Sequence, residues 1–175
     1  MPGPIPPKFY TQDAPFPPEI SLRPIGVVRS PHHERHGTPR QAVLPAKPQL
    51  RESEETVLEL FADVLTPHAT NDLEGFEYLW VISWMHLNHG WRNKVAVPGF
   101  QKKGLLSTRA PHRPNPIGLS AVRLLRVEDL RIVVERTDLL DGTPILDLKP
   151  YVPYCDAFAD AKAGWVDERG QTPGN

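Results

Sequence analysis

The sequence is short of several things that would each announce a class of protein. It has one cysteine, Cys155, so no intramolecular disulfide can form and nothing points to an oxidising compartment. With no partner motif around it, that thiol reads as a small buried or half-buried residue and not as a nucleophile. No window approaches the roughly 20 apolar residues of a membrane span, and residues 1–7 carry neither the basic start nor the apolar stretch of a secretory signal. A cytoplasmic protein with no membrane partner is the expectation. Neither Gly-x-Gly-x-x-Gly nor Gly-x-x-x-x-Gly-Lys occurs, so a nucleotide-like cofactor would have to be held by something other than a Rossmann turn or a P-loop. Proline, by contrast, is abundant. The 21 prolines are more than twice the usual share of about 5%, and because proline breaks helices while tolerating turns and strand edges, a helical bundle is disfavoured.

What is present suits one ordinary globular domain. Hydrophobic residues make up 39% of the 175 and charged residues 23%, enough to bury a core without disulfides. Residues 1–19 hold seven prolines and few aliphatic residues and read as an extended arm. The domain is expected over residues 20–165 and a short tail over 166–175.

Strand signals follow one another with turn chemistry between them. Residues 20–29, 56–60 and 78–85 are rich in β-branched, aliphatic or aromatic side chains, and residues 119–127 and 130–137 resemble a hairpin turning at Glu128 and Asp129. Asp141-Gly142-Thr143-Pro144 is a turn, followed by a short strand over 145–148. Many short strands at near-regular spacing predict a mainly all-β fold, a barrel or a sandwich. Residues 59–65 could make a helical turn or two, and residues 156–163, Ala-rich and opening with Asp156, are the best further helix.

Charge is segregated along the chain although the net value is only -1. Residues 92–127 contain eight basic side chains (Arg92, Lys94, Lys102, Lys103, Arg109, Arg113, Arg123 and Arg126) and no acidic one, whereas residues 52–77 contain eight acidic side chains and no basic one. Either the two runs intermix on folding, or a basic face survives that could attract a polyanion.

Three clusters carry possible chemistry. His32, His33 and His36 include an i, i+4 pair, but Pro31, Gly37 and Pro39 surround them and no Glu stands where a zincin needs one, so a loop without metal is expected. From Ser107 to Ser120 three prolines and a glycine make a stiff non-helical loop bearing Arg109 and Arg113. Those side chains would be held with little entropy left to lose, either for a ligand or for nearby carboxylates. Asp138 and Asp147 flank apolar residues and need partners if buried, whereas Asp141 before Gly142 is accounted for as turn chemistry.

Taken in order, Pro24-Ile25-Gly26-Val27-Val28-Arg29-Ser30-Pro31, Pro39-Arg40-Gln41, residues 76–86, Ser107-Thr108-Arg109 with Arg113-Pro114-Asn115-Pro116-Ile117-Gly118, and Asp138-Leu139-Leu140-Asp141-Gly142-Thr143-Pro144 with Asp147-Leu148-Lys149-Pro150-Tyr151 resemble the TrmO (YaeB-like) family. The resemblance implies a small β-barrel that dimerises and holds S-adenosylmethionine near the subunit interface. It further implies methyl transfer to N6 of threonylcarbamoyladenosine beside the anticodon of a tRNA. Carried over motif by motif, the implied cofactor residues are Gln41, Ala42, Val43, His86, Leu87, Asn88, Arg109, Leu119, Arg136, Thr137 and Asp138.

Methyl transfer is an in-line displacement, so positioning is the enzyme's main task. A ureido-type nitrogen is a poor nucleophile while protonated, so a nearby proton acceptor should help, and Asp138 and His86 are the candidates. Arg40, Lys102, Lys103 and Arg113 are the candidates for RNA phosphates. Trp80, Trp84 and Trp91 could stack on a base or simply fill a core. Two readings of other classes stand beside this one: a non-catalytic module that binds S-adenosylmethionine or RNA, and a metal hydrolase built on the histidine cluster.

Overall fold

The computed structural model describes residues 17–34 and 55–171. Among these residues eight strands and one short helix follow in order: β1 (Gly26–Arg29), β2 (Glu55–Leu60), β3 (Tyr78–Trp84), β4 (Lys94–Val95), β5 (Lys103–Gly104), β6 (Ile117–Glu128), β7 (Arg131–Glu135), β8 (Pro144–Pro150) and α1 (Pro153–Asp156). Short 3-10 turns span Pro67–Thr70, Leu73–Gly75, Leu105–Ser107 and Gly164–Gln171. Six strands close an antiparallel barrel in the order β1-β2-β7-β6-β3-β8, while β4 and β5 form a separate two-stranded ribbon. The all-β barrel expected from the sequence is the fold observed.

Strand alternation divides the inside from the outside. On β3, Leu79, Val81 and Ser83 are buried while Tyr78, Trp80, Ile82 and Trp84 are only partly so, the period of two that a one-sided strand requires. Register then places Val122, Ser120 and Gly118 of β6 opposite Leu79, Val81 and Ser83, and residues directly opposite share a face. The interior is filled by Val28, Leu58, Leu60, Leu79, Val81, Val122, Ile132, Val134, Leu139 and Ile145. Gly118 is a place where only glycine fits, because a Cβ there would collide with the Ser83 hydroxyl.

Several local expectations shift. The strand expected over 20–29 is confined to Gly26–Arg29, since Pro24 lacks a ladder donor. The hairpin turns at Asp129 and Leu130 and not at Glu128 and Asp129; Asp129 adopts φ 54°, a left-handed conformation that aspartate tolerates better than most residues. Residues 59–65 contain no helix, because β2 runs to Leu60 and a turn follows. The helix expected over 156–163 lies earlier, at Pro153–Asp156. Proline occupies its first turn, where the missing N–H costs nothing. Asp156 ends the helix instead of opening it, its Oδ2 accepting the Val152 N–H at 2.8 Å. Cys155, read as buried or half-buried, is exposed, since this short helix sits on the barrel surface. The proline-rich arm lies almost entirely outside the described residues, and among those described no helix is long and apolar enough to cross a membrane.

Candidate active site

A cleft of about 610 Å³ lies against β3 and β6, within the size range of small-molecule sites. One wall is strand: Tyr78 and Trp80 from β3, with Leu119 and Ala121 from β6. The loop carrying Thr108, Arg109, Ala110, Pro111 and Arg113 also lines the cleft, and Ser120, Asp138, Leu139, Tyr151 and Asp156 complete the lining. Two groups of lining residues differ in chemistry.

The first group is charged. After β7 the backbone turns sharply at Arg136, whose φ of 29° is a strained value for a side-chain-bearing residue and is held only by its surroundings. Beyond this kink Thr137 is fully buried, its Oγ1 accepting the Leu139 N–H at 3.2 Å, and Leu139 plugs the core. Asp138, between them, is left facing the cleft, where the Ser120 hydroxyl donates to its Oδ1 at 2.6 Å. Burial raises the Asp138 carboxyl above its ordinary range, against the opposing pull of the Ser120 hydrogen bond, a backbone hydrogen bond and the positive charge of Arg109. This is the environment of a carboxylate made more basic than usual.

The second group is aromatic. Trp80 and Tyr151 are 5.4 Å apart between ring centroids, and Tyr78 meets Tyr151 edge-on at 6.1 Å. The Trp80 indole N–H donates to Asp156 Oδ2 at 3.0 Å. The same oxygen accepts the Val152 N–H, and these two hydrogen bonds hold the Asp156 carboxyl below its ordinary range.

The loop rim is stiffened from within. The Arg113 Nη1 donates to the carbonyl of Thr108 at 3.0 Å and to that of Leu105 at 3.4 Å, and the Thr108 hydroxyl donates to the Leu105 carbonyl at 2.8 Å. Arg109 is exposed at the cleft edge.

Of the residues singled out in the sequence, Arg109, Arg113, Leu119 and Asp138 come together here. His86, Leu87, Asn88, Arg136 and Thr137 are not in the cleft wall. His86 and Leu87 are exposed in the turn after β3, where the Asn88 N–H and side chain both bond to the Met85 carbonyl. Lys102 is exposed just before β5, and Lys103 lies over the rings of Phe100 and Trp165 at 5.2 and 5.5 Å. Arg40, Gln41, Ala42, Val43 and His36 fall outside the described residues. His32 and His33 lie in the loop after β1, where the Asp141 N–H donates to the His32 carbonyl at 2.7 Å; among the described residues no three potential metal ligands are gathered. Asp141 also accepts the Ser30 N–H at 3.1 Å and Asp147 pairs with Lys149 at 2.7 Å on the surface, so both have structural employment.

Sequence reasoning did not single out Tyr78, Tyr151, Ser120 or Asp156, and left Trp80 between core and ligand. The signal for the first rings was the alternation itself: with Leu79 and Val81 inside, Tyr78 and Trp80 must face outward.

The sequence comparisons agree with this architecture. The family model described as the tRNA-methyltransferase O N-terminal domain matches residues 27–157. The chain belongs to the TrmO family. An S-adenosyl-L-methionine-binding protein of Archaeoglobus fulgidus is 37% identical, the match covering 77% of this chain and 91% of that protein. The tRNA (adenine(37)-N6)-methyltransferase of Escherichia coli is 37% identical, over 81% of this chain and 62% of that enzyme. The crystal structure of TrmO from Pseudomonas aeruginosa superposes with a TM-score of 0.70 at 38% identity, covering 85% of this chain and 63% of that one. The chain thus spans about three-fifths of the length of these two bacterial TrmO-type relatives, and the family-domain match over residues 27–157 takes in the cleft residues of this chain.

Proposed function

We propose that this TrmO-family barrel is a tRNA methyltransferase that takes its methyl group from S-adenosylmethionine and places it on N6 of threonylcarbamoyladenosine beside the anticodon. The observation that carries the reading is a cleft lined by both charged and aromatic side chains. Arg109 and Asp138 offer a cation and an anion to the carboxylate and ammonium of an amino-acid moiety, and Trp80 and Tyr151 offer rings to a flat base. When bound, S-adenosylmethionine supplies an electrophilic methyl on a sulfonium. Arg109, Leu119 and Asp138 hold the donor, joined by Gln41, Ala42 and Val43, with Arg136 and Thr137 shaping the approach to Asp138.

Asp138 is the better of the two proton acceptors. Its carboxyl is raised by burial and lies in the cleft, whereas His86 is exposed in a turn outside the cleft wall. Proton removal from the acceptor nitrogen calls for a group in the cleft whose basicity exceeds that of an ordinary carboxylate.

The protein acts as a cytoplasmic homodimer in this reading. Leu87 is 59% exposed, Trp91 51%, Leu106 84%, Ile117 44% and Leu119 55%. Backbone bonds from Met85 to Pro116 and from Leu105 to Asn93 draw the segments bearing them together beside the cleft. Such a group of exposed apolar side chains is the composition of an interaction site, and a second copy there would place His86, Leu87 and Asn88 at the interface. Arg40, Lys102, Lys103 and Arg113 serve the tRNA backbone.

Purified protein incubated with S-adenosylmethionine and tRNA carrying threonylcarbamoyladenosine should add one methyl group to that nucleoside, seen by mass analysis of the digested tRNA. Donor binding in a calorimeter without any transfer would convert the reading to a non-catalytic binding module, and no donor binding at millimolar concentration would refute both. Sedimentation at tens of micromolar should show a dimer.

A further inference from the structure

The match to the family domain ends at residue 157, but the chain beyond it returns to the loop that carries Arg109. Trp165, in the 3-10 segment Gly164–Gln171, donates its indole N–H to the carbonyl of Ser107 at 2.8 Å. Its ring meets Phe100 edge-on at 5.5 Å between centroids, and the Lys103 ammonium lies over both rings. The segment is braced internally, since the Ala163 N–H donates to Asp167 Oδ2 at 2.9 Å.

Ser107 opens the Ser-Thr-Arg run that ends in Arg109. Backbone bonds tie the two ends of the loop to the rest of the protein, the Leu105 N–H to the Asn93 carbonyl and the Met85 N–H to the Pro116 carbonyl. Between those ends the other bonds described are short-range: the Ser107 hydroxyl to the Gly104 carbonyl, the Thr108 hydroxyl to the Leu105 carbonyl, and the Arg113 guanidinium to the carbonyls of Leu105 and Thr108. Such bonds fix the shape of the middle of the loop but do not hold it against another part of the chain. The Trp165 bond arrives from 58 positions away and grips the backbone two residues before Arg109. A loop fixed before binding loses less entropy when its arginine engages a ligand.

We propose that Trp165 is a positioning residue that clamps the loop at Ser107, so that the affinity of the donor site depends on a segment outside the family domain. The proposal rests on the reading of Arg109 as a donor-binding residue.

The test compares Trp165→Ala and Trp165→Phe with the wild type in the full chain, by hydrogen exchange, by calorimetry with S-adenosylmethionine and by steady-state methylation of tRNA. Trp165→Ala should speed amide exchange over residues 104–113 while β2 and β7 keep wild-type protection. It should also weaken donor binding roughly five- to tenfold, the usual consequence of one lost hydrogen bond with its packing. That loss should appear in the donor KM, with kcat at saturating donor nearly unchanged. Trp165→Phe keeps a ring but not the N–H and should fall between the two. Unchanged exchange in the loop would overturn the clamp, as would faster exchange spread through the whole barrel, and faster loop exchange with undiminished donor affinity would overturn its positioning role. If the wild type binds no donor, the proposed function fails, and the clamp is then judged on exchange alone.

Discussion

Two pairs of arginines from the same basic run meet opposite fates. Arg126, at the far end of β6, grips Glu55 with both terminal nitrogens at 2.8 and 2.9 Å and sends its Nε to Glu128 at 2.7 Å. These contacts raise its pKa and lower that of Glu55. Arg123 lies beside Glu77 at 3.4 Å and Glu135 at 3.9 Å. Arg109 and Arg113, on the loop, form no ion pair among the described residues; Arg113 bonds to backbone carbonyls, and Arg109 lines the same cleft as Asp138, whose carboxyl feels its positive charge. Among the described residues the barrel therefore pairs Arg123 and Arg126 with carboxylates and leaves Arg109 and Arg113, which line the cleft, without an ion pair. The acidic and basic runs do intermix at β6, through Arg126 with Glu55 and Arg123 with Glu77, and the loop keeps its positive charge.

The sharpest way to test that division is to remove the carboxylate the loop faces. Asp138→Asn should lower methylation on the order of a hundredfold or more, the usual scale for losing a positioned proton acceptor, measured as kcat on tRNA. Because burial raises its carboxyl, Asp138 takes up a proton at higher pH than an ordinary aspartate. Wild-type kcat should therefore fall on the acid side at a pH above the usual carboxylate range, and Asp138→Asn should lose that limb. The same raised value means the folded state binds the proton more tightly than the unfolded chain. The stabilising contribution of this group is present below the unfolded pKa and is lost as pH rises through the folded one. Thermal melts of Asp138→Asn should accordingly gain relative to wild type toward neutral pH.

Next in size, Arg109→Ala should weaken S-adenosylmethionine binding by about tenfold or more by calorimetry, through loss of a charge-assisted hydrogen bond, with the melting temperature held. Arg113→Ala should loosen the loop and lower tRNA affinity, the salt dependence of binding becoming shallower by about 1 if a phosphate contact is lost; an unchanged salt slope would assign Arg113 wholly to its two carbonyl contacts. The smallest effect should come from Arg126→Ala, whose exposed ion pairs are worth little. Donor and tRNA binding should both stay at wild-type values, and a marked loss of either would erase the distinction between paired and unpaired arginines.

Where the chain is periodic, its structure was legible in advance. β2, β3, β6 and β7 were readable because side-chain alternation and β-branched content are local properties. Boundaries were not, because they depend on partners: β1 stops where Pro24 cannot donate, and α1 ends at Asp156 because Trp80, from a distant strand, and Val152 both bond to its carboxylate. Asp138 and Arg109 could be named from motif order, but their meeting required the kink at Arg136, which no propensity announces. Asp156 looked like a helix start because the same short acidic side chain serves either end of a turn.

The ring order carries a consequence for how the molecule is made. β1 pairs with β2 on one side and with β8 on the other, Gly26 lying opposite both Leu60 and Ile145. During synthesis β1 therefore waits with one bare edge until Pro144–Pro150 leaves the ribosome, and the last pieces of the cleft, Tyr151 and Asp156, emerge later still. Any pause or truncation before that point leaves a nascent sheet with two unsatisfied edges, the template on which chains stick to one another. Closure of the ring and completion of the cleft are thus nearly the same event, so a chain released early should be both inactive and prone to aggregate.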